Sequence, residues 1–354
     1  MKPFSFKHIS MAGLVSVVPD NIVSNDNLPH LSQDEIAHLI NTTGIKNRRI
    51  APPHITASDL GVCAAKELMQ RLHWHPEEVD LLVLVTQTPD YLLPANSILI
   101  QSRLQLSSSV FCLDINQGCA GYVYGLSVVS ALVSSGRFRK ALLIAADTIT
   151  HTIGSHDYSL IPIFSDAASA TAIQYDAHAN IDAWFCVQSD ASKYDAIYIP
   201  DGAFRNPTNS KSFEEICLDS HSTRNRLNLH MNGQDVFHFG LKNVAHQVEN
   251  LLKETSVDPN TIDYWVFHQA NKLLNDRISA KLALPQNKVL YSLYDYGNTS
   301  CATIPLTICH HYEKFEHVSN RIVLSGFGVG LSWATACLHL QPLICSPIIE
   351  YYEC

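Results

Sequence analysis

Apolar positions along this chain fall into short unbroken runs, separated by stretches where apolar and polar residues recur at helical spacing. The first run, His8 to Val18, reads as a strand that stops at Pro19. Ser32 to Ile40 and Ser58 to Leu72 read as helices, each with a serine as N-cap. Val79 to Thr86 is almost continuously apolar, the pattern of a strand covered on both faces in a parallel sheet. Val110 to Leu113 repeats that pattern and leads into a helical stretch, Tyr122 to Ser135, that ends at Gly136. Arg139 to Ala146 is a further buried strand. Strands and helices thus alternate, which predicts an α/β fold with a parallel sheet and helices on its faces.

The second half carries the same order at a nearly constant offset. Leu82 to Gln87 answers to Tyr264 to Gln269. Asn116 answers to Asn298, Cys119 to Cys301 and Arg139 to Arg321, each 182 positions on. Agreement of separate segments in the same order implies two similar αβ halves packed as one pseudo-symmetric unit. On this reading residues 1–189 form the first half and 231–340 the second. Residues 190–230, rich in Asn, Ser, Asp and Pro, form an irregular excursion that reads as a cap or loop over the site. The tail 341–354 follows the last obvious strand and has no assigned role.

Composition narrows the class. The 354 residues are 46% hydrophobic and only 16% charged, as in a well-packed protein with a large core. A net charge of −9 without a long basic run argues against a nucleic-acid or anionic-membrane surface. The N-terminal residues lack a signal-peptide apolar core, and no apolar stretch is long enough to span a bilayer. Ten cysteines without a secretion signal point to reduced thiols in a cytoplasm. The cysteines form no CxxC pairs, and His73-Trp74-His75 and His310-His311 lack partners at ligand spacing, so neither metal nor cofactor is expected.

Chemistry concentrates in four stretches. Asp114-Ile115-Asn116-Gln117-Gly118-Cys119-Ala120-Gly121-Tyr122 places Cys119 where a strand turns into a helix. The positive end of the helix dipole there favours the thiolate, the nucleophilic form. A buried structural cysteine is the alternative reading. His268-Gln269-Ala270-Asn271 ends a buried strand, Tyr296 to Cys301 turns into a helix, and Ser325 to Leu331 is a glycine-rich turn. Its Gly-x-Gly-x-Gly is followed by another apolar segment, so it is not a dinucleotide fingerprint. Ligand sites form at strand ends of open parallel sheets. The repeat puts Cys119, His268 and Asn298 at corresponding strand ends, where they can converge between the halves.

Together these stretches resemble the beta-ketoacyl-ACP synthase III family of the thiolase-like superfamily, over residues 8–340. The resemblance implies a five-layered αβαβα fold, a homodimer and a decarboxylative Claisen condensation. It implies that Cys119 takes an acyl group from an acyl-CoA or acyl-carrier-protein donor. His268 and Asn298 would then bind the carbonyl of a malonyl thioester, whose enolate attacks the acyl-Cys119. The backbone N–H groups of Cys119 and Val329 would hold the oxyanion, although the family usually has glycine where Val329 stands. Asn271, Phe327 and Gly328 would contact the pantetheine-bearing substrate, and Leu93 would reach the acyl site of a partner subunit. His38 and Thr42 occupy the places of a tryptophan and an arginine that hold the adenine end of coenzyme A, and His151 replaces a further arginine. That departure favours an acyl carrier protein, or an unusual acyl-CoA, as donor, with Lys272 and Lys281 as contacts for a carrier's acidic face. Two alternatives are weighed. Acyl transfer to a hydroxyl or amine on the same fold is disfavoured by Asn298, and a non-catalytic synthase partner is disfavoured by Cys119.

Overall fold

The computed structural model describes residues 2–353. Two sheets carry the chain. A sheet of seven strands runs in the order Ile344–Cys345, Ile9–Val18, Ala167–Tyr175, Lys140–Asp147, Leu81–Val85, Phe111–Ile115, with Ile349–Glu350 also on Ile9–Val18. A sheet of five runs Phe4–Phe6, Ala183–Ser189, Ser332–Leu340, Asn320–Gly328, Tyr264–Phe267. Leu81–Val85 is parallel to both Phe111–Ile115 and Lys140–Asp147, because a helix crosses over between successive strands. No α-helix intervenes between Lys140–Asp147 and Ala167–Tyr175, and these pair antiparallel. The sheets are therefore mixed, not wholly parallel as the alternation suggested.

Between the sheets lie two helices, Gly121–Ser134 and Thr303–His310. The first, GYVYGLSVVSALVS, has no charged face and must be covered on every side. Its Val123, Leu126 and Val129 share one core with Val83 and Leu143 of the larger sheet and with Val266 and Leu324 of the smaller. Helix Ala57–Leu72 covers the outer face of the larger sheet. Gly233–Thr255 and Lys272–Lys281 cover that of the smaller. The layers are thus helix, sheet, helix, sheet, helix.

The two halves repeat each other down to single hydrogen bonds. The Asp80 carboxylate accepts from the N–H groups of Arg139 and Lys140 at 2.7 and 3.2 Å, and the Asp263 carboxylate from the Arg321 N–H at 2.8 Å. The Asp80 N–H donates to Lys140 O and the Asp263 N–H to Arg321 O. Asp80 to Asp263 is an offset of 183, and Lys140 to Arg321 is 181. The cysteine turns keep 182, since Ala120 and Ala302 are both N-caps with nearly equal dihedrals (φ −83°, ψ −9° and φ −83°, ψ −6°). The repeat read from the sequence is therefore correct at the turns and slides by one residue, in opposite senses, on the flanking strands.

Three details differ from the sequence reading. Thr56, not Ser58, stands at the N-cap of Ala57–Leu72, where its N–H donates to Asp59 at 2.8 Å. The Ser58 hydroxyl donates instead to Asp90 at 2.6 Å. Ala183–Ser189, grouped with the first half, pairs with Ser332–Leu340 in the smaller sheet, next to Phe4–Phe6. The tail is structural, because its two short strands lie parallel to Ile9–Val18.

The 190–230 excursion is built from short helical turns and small hairpins. Ile197–Tyr198 pairs with His230–Met231, and Ile216–Cys217 with Thr223–Arg224. Asp201 ties it internally, accepting two bonds from Arg226 at 2.9 Å and one from Ser212 at 2.8 Å. Arg224 faces the fully buried Asp157 at 3.4 Å and fastens the excursion to the body.

The tail's anchor gives a stability prediction. Leu343 is buried in the core between the sheets, and its N–H donates to Phe315 O at 2.9 Å. Leu343→Ala should cost about 2–5 kcal/mol in urea unfolding. A change of less than about 0.5 kcal/mol, the range of an indifferent surface position, would show that the tail is not part of the core.

Candidate active site

Cys119 sits one residue before the N-cap of Gly121–Ser134 and is 7% exposed. Two cavities meet at it. One of about 190 Å³ is walled by Ile149, Phe164, Ile197, Leu229 and Val329, with Gln87 and Asn116 also facing it. The other, about 90 Å³, runs past His268, Asn271, Asn298, Phe327 and Gly328 toward Met231 and Phe237. Ile197 and Leu229 of the excursion and Met231 at its edge line these cavities.

The helix dipole does not win at Cys119. Burial pushes its thiol up to about 12, against the opposing pull of backbone N–H groups from Val329 and Cys119 itself, while the buried Asp147 pushes the same way as burial. Stripping water from a thiolate costs more than half a unit of helix charge returns. The resting group is a neutral thiol, which corrects the expectation of a thiolate. The two N–H groups expected to face an oxyanion do point at the sulfur.

His268 follows the end of Tyr264–Phe267, and its N–H donates to Ser325 O at 2.8 Å. Its Nδ1 lies 2.7 Å from Thr303 Oγ1, at the start of the second central helix. Burial lowers its pKa to about 3, so the ring is neutral. The Phe327 ring meets it edge to face at 5.5 Å. Gln269 is structural: its Nε2 donates to Phe267 O at 2.7 Å, and its Oε1 accepts from the Ser292 N–H. Asn271 caps Lys272–Lys281 through Oδ1, which accepts from the Leu274 N–H at 2.8 Å, and leaves Nδ2 for the cavity.

Asn298 is fixed from both sides. Its N–H donates to Ile163 O and its O accepts from the Ser165 N–H. Oδ1 accepts from the Ser300 N–H at 3.0 Å, which leaves Nδ2 as the free donor. That contact holds Ser300 at φ +52°, a left-handed conformation costly for a non-glycine residue.

The glycine-rich turn is a steric requirement. A Cβ on Gly328 would lie 2.6 Å from Cys119 Cβ and 2.7 Å from its sulfur. One on Gly326 would lie 2.8 Å from Cys119 O. Val329 has no such conflict, and its side chain forms part of the larger cavity's wall.

Other sequence-predicted residues fall outside this centre. Leu93 is 82% exposed, at the tip of a loop with exposed Tyr91 and Leu92, and lines neither cavity. Lys272 is paired with Asp276, and Lys281 donates to Leu241 O at 3.1 Å, so neither is uncommitted. His151 Nε2 is 3.1 Å from Ala51 O, turned to the body, and His38 is exposed. Thr303 and Asp147 carry site geometry that the sequence reading missed. Thr303 stands five residues after Asn298, at the first position of the helix that follows, which is the signal available in the sequence. Asp147 ends a strand otherwise apolar from Ala141 to Ala146, and a lone carboxylate there is a similar cue.

Comparison with known proteins places this geometry. Residues 113–190 match the 3-oxoacyl-[acyl-carrier-protein] synthase III family and residues 252–340 its C-terminal part. The chain is 31% identical over 326 residues to the beta-ketoacyl-[acyl-carrier-protein] synthase III of Lactococcus lactis, covering 91% of this chain and 96% of the relative. It is 32% identical over 332 residues to the enzyme of that name from Prochlorococcus marinus, covering 93% and 95%. The crystal structure of a 3-oxoacyl-(acyl-carrier protein) synthase from Burkholderia xenovorans superposes with a TM-score of 0.92 at 32% identity, over 99% of both chains. On sequence and fold alike, the chain belongs to the beta-ketoacyl-ACP synthase III family.

Proposed function

We propose that this protein is a condensing enzyme that extends an acyl group by decarboxylative Claisen condensation. The observation that carries the reading is the meeting of Cys119, His268 and Asn298 where two cavities join. One cavity suits the acyl chain and the other the pantetheine arm, lined by Asn271, Phe327 and Gly328.

In the first step the Cys119 sulfur attacks the thioester carbonyl of the donor. The new S–C bond replaces the donor's, and the proton of the neutral thiol leaves with the departing thiol. The Val329 and Cys119 N–H groups, already aimed at the sulfur, receive the carbonyl oxygen as it becomes an oxyanion. Such a donor contributes about 3–4 kcal/mol. In the second step a malonyl thioester presents its carbonyl to His268 and to Asn298 Nδ2. Carbon dioxide departs, and the electron pair of the broken bond passes into an enolate held by these two donors. The enolate carbon attacks the acyl-Cys119 carbonyl, the C–S bond breaks, and the Cys119 thiolate takes up a proton.

For His268 to donate from Nε2, its Nδ1 must accept the Thr303 hydroxyl proton in competition with Ser300 O, and Nδ1 is the nearer acceptor, at 2.7 Å against 3.2 Å. Both second-step donors are neutral, so they bind an enolate without holding the malonyl carboxylate as a salt. His38 and Thr42 offer no ring or guanidinium for a nucleotide, which supports an acyl carrier protein as donor. The exposed apolar sequence Tyr91-Leu92-Leu93 supports a homodimer in which this loop is covered by a second copy. Retention of the Asn298 arrangement favours condensation over simple acyl transfer.

Three outcomes are expected. Protein incubated with acyl thioesters should gain the acyl mass on Cys119 by intact-mass spectrometry, and Cys119→Ala should gain none. Faster loading from acetyl-CoA than from acyl carrier protein would sink the donor assignment. Thr303→Val should lower malonyl decarboxylation by roughly tenfold or more, the range for a misplaced catalytic donor, and leave acyl loading of Cys119 nearly intact. An equal drop in both would remove the tautomer argument. Alkylation of Cys119 by iodoacetamide should rise about tenfold per pH unit between pH 7 and 9, because a thiol raised to about 12 is far below its midpoint there. A plateau near neutral pH would instead reveal a resting thiolate.

A further inference from the structure

The larger cavity is not uniformly apolar. Two carboxamides, Gln87 and Asn116, face it beside Ile149, Phe164 and Val329. Among the described residues, neither side chain has a hydrogen-bond partner. Of the other polar wall residues, Thr152 donates its hydroxyl to Ile149 O at 2.7 Å, the Tyr198 ring meets the His230 ring, and Ser300 gives its backbone N–H to Asn298.

Gln87 is held in place by its backbone. Its N–H donates to Asp147 Oδ1 at 2.7 Å, and the same oxygen accepts from the hydroxyls of Thr86 and Thr88 at 3.1 and 3.2 Å. Three donors on one fully buried carboxylate oxygen fix the 86–88 turn. The side chain then lies over Gly118. A Cβ there would be 2.1 Å from Gln87 Oε1 and 2.9 Å from Val329 Cγ2. The carboxamide is therefore one residue from the sulfur and beside the N–H donor Val329.

We propose that the acyl group carried by Cys119 bears a hydroxyl or keto oxygen close to its thioester, recognised by Gln87 with Asn116 at the rim. This rests on the condensing-enzyme reading and names its acyl substrate class. A saturated chain filling the cavity would displace water from Gln87 and give its amide nothing in return. A carboxamide both donates and accepts, so it serves a hydroxyl or a keto oxygen. Sites built on such bonds discriminate against the analogue that lacks the oxygen.

The test uses butanoyl and 3-hydroxybutanoyl groups on the same pantetheine carrier, with single-turnover adduct formation on Cys119 read by intact mass. The full-length protein should load the hydroxylated group about fivefold to tenfold faster, the range of one net hydrogen bond. In Gln87→Met and Gln87→Leu the ratio should approach one. The ratio is internal to each preparation, so partial misfolding cancels. Asn116→Leu, at the exposed rim, should also shrink the ratio and serves if both Gln87 variants are insoluble. A wild-type ratio of one or below, or a ratio unchanged in every soluble variant, overturns the proposal alone. No adduct from either thioester overturns the condensing-enzyme reading together with it.

Discussion

The structure depends on a pair of helices that have nowhere polar to turn. Gly121–Ser134 and Thr303–His310 are apolar on almost every side, so each needs a sheet above and a sheet below. That demand brings two αβ halves together face to face and sets the five layers. It also brings the helix starts close. A Cβ on Gly121 would fall 2.5 Å from Val85 Cγ1 and 3.4 Å from Cys301 Cβ. Glycine at 121 is what allows the helix to lie that near strand and neighbour. Cys119 reaches the seam between the halves because the helix it precedes must be buried there.

Pseudo-symmetry alone would supply two equivalent cysteines, and chemistry uses the exceptions to it. By the strand offset of 181, Asp147 at the end of Lys140–Asp147 corresponds to Gly328 at the end of Asn320–Gly328. Burial, and after it the neighbouring Asp147, holds the Cys301 thiol well above its ordinary range. Gly328 lies against Cys119 and contributes no side chain, which leaves the sulfur open to two cavities. One half therefore closes its cysteine with a carboxylate and the other opens its cysteine with a glycine. The same carboxylate fixes the 86–88 turn, so the closed half still shapes the open one.

Much of this was legible in the chain. The apolar runs located the strands, and the repeat located the turns, because both follow from burial and local periodicity. His268, Asn298 and Gly328 line one cavity with Cys119, and Val329 lines the other. What the sequence hid depended on tertiary competition. The dipole at Cys119 is a local effect, whereas the burial that overrides it is tertiary, in a site whose wall includes Phe164, Ile197 and Leu229 from distant parts of the chain. The sheet membership of Ala183–Ser189 could not follow from its own pattern, since a buried strand reads alike in either sheet. Residues 341–354 lack a long apolar run, yet Leu343 and Cys345 are buried because short strands need few residues to pair with Ile9–Val18. Lys272 reads as a free lysine on a helix surface, and only the structure shows that it pairs with Asp276 one turn on.

Dryness joins the resting thiol to the chemistry that follows. The burial that keeps Cys119 protonated also removes water from around Asn298 Nδ2 and the His268 ring. Hydrogen bonds to a developing negative charge strengthen when water is absent. The cost of desolvation falls on the resting state, where the thiol is neutral and bears little of it. The benefit falls on the oxyanion and the enolate, which are charged. A more exposed cysteine would ionise more readily but would face the same carbonyl with weaker donors. The excursion, fastened to the body by Arg224 on Asp157 and braced within itself by Arg226 on Asp201, lends Ile197 and Leu229 to the wall of the larger cavity. It keeps the space beside Cys119 apolar enough for two neutral backbone N–H groups to matter.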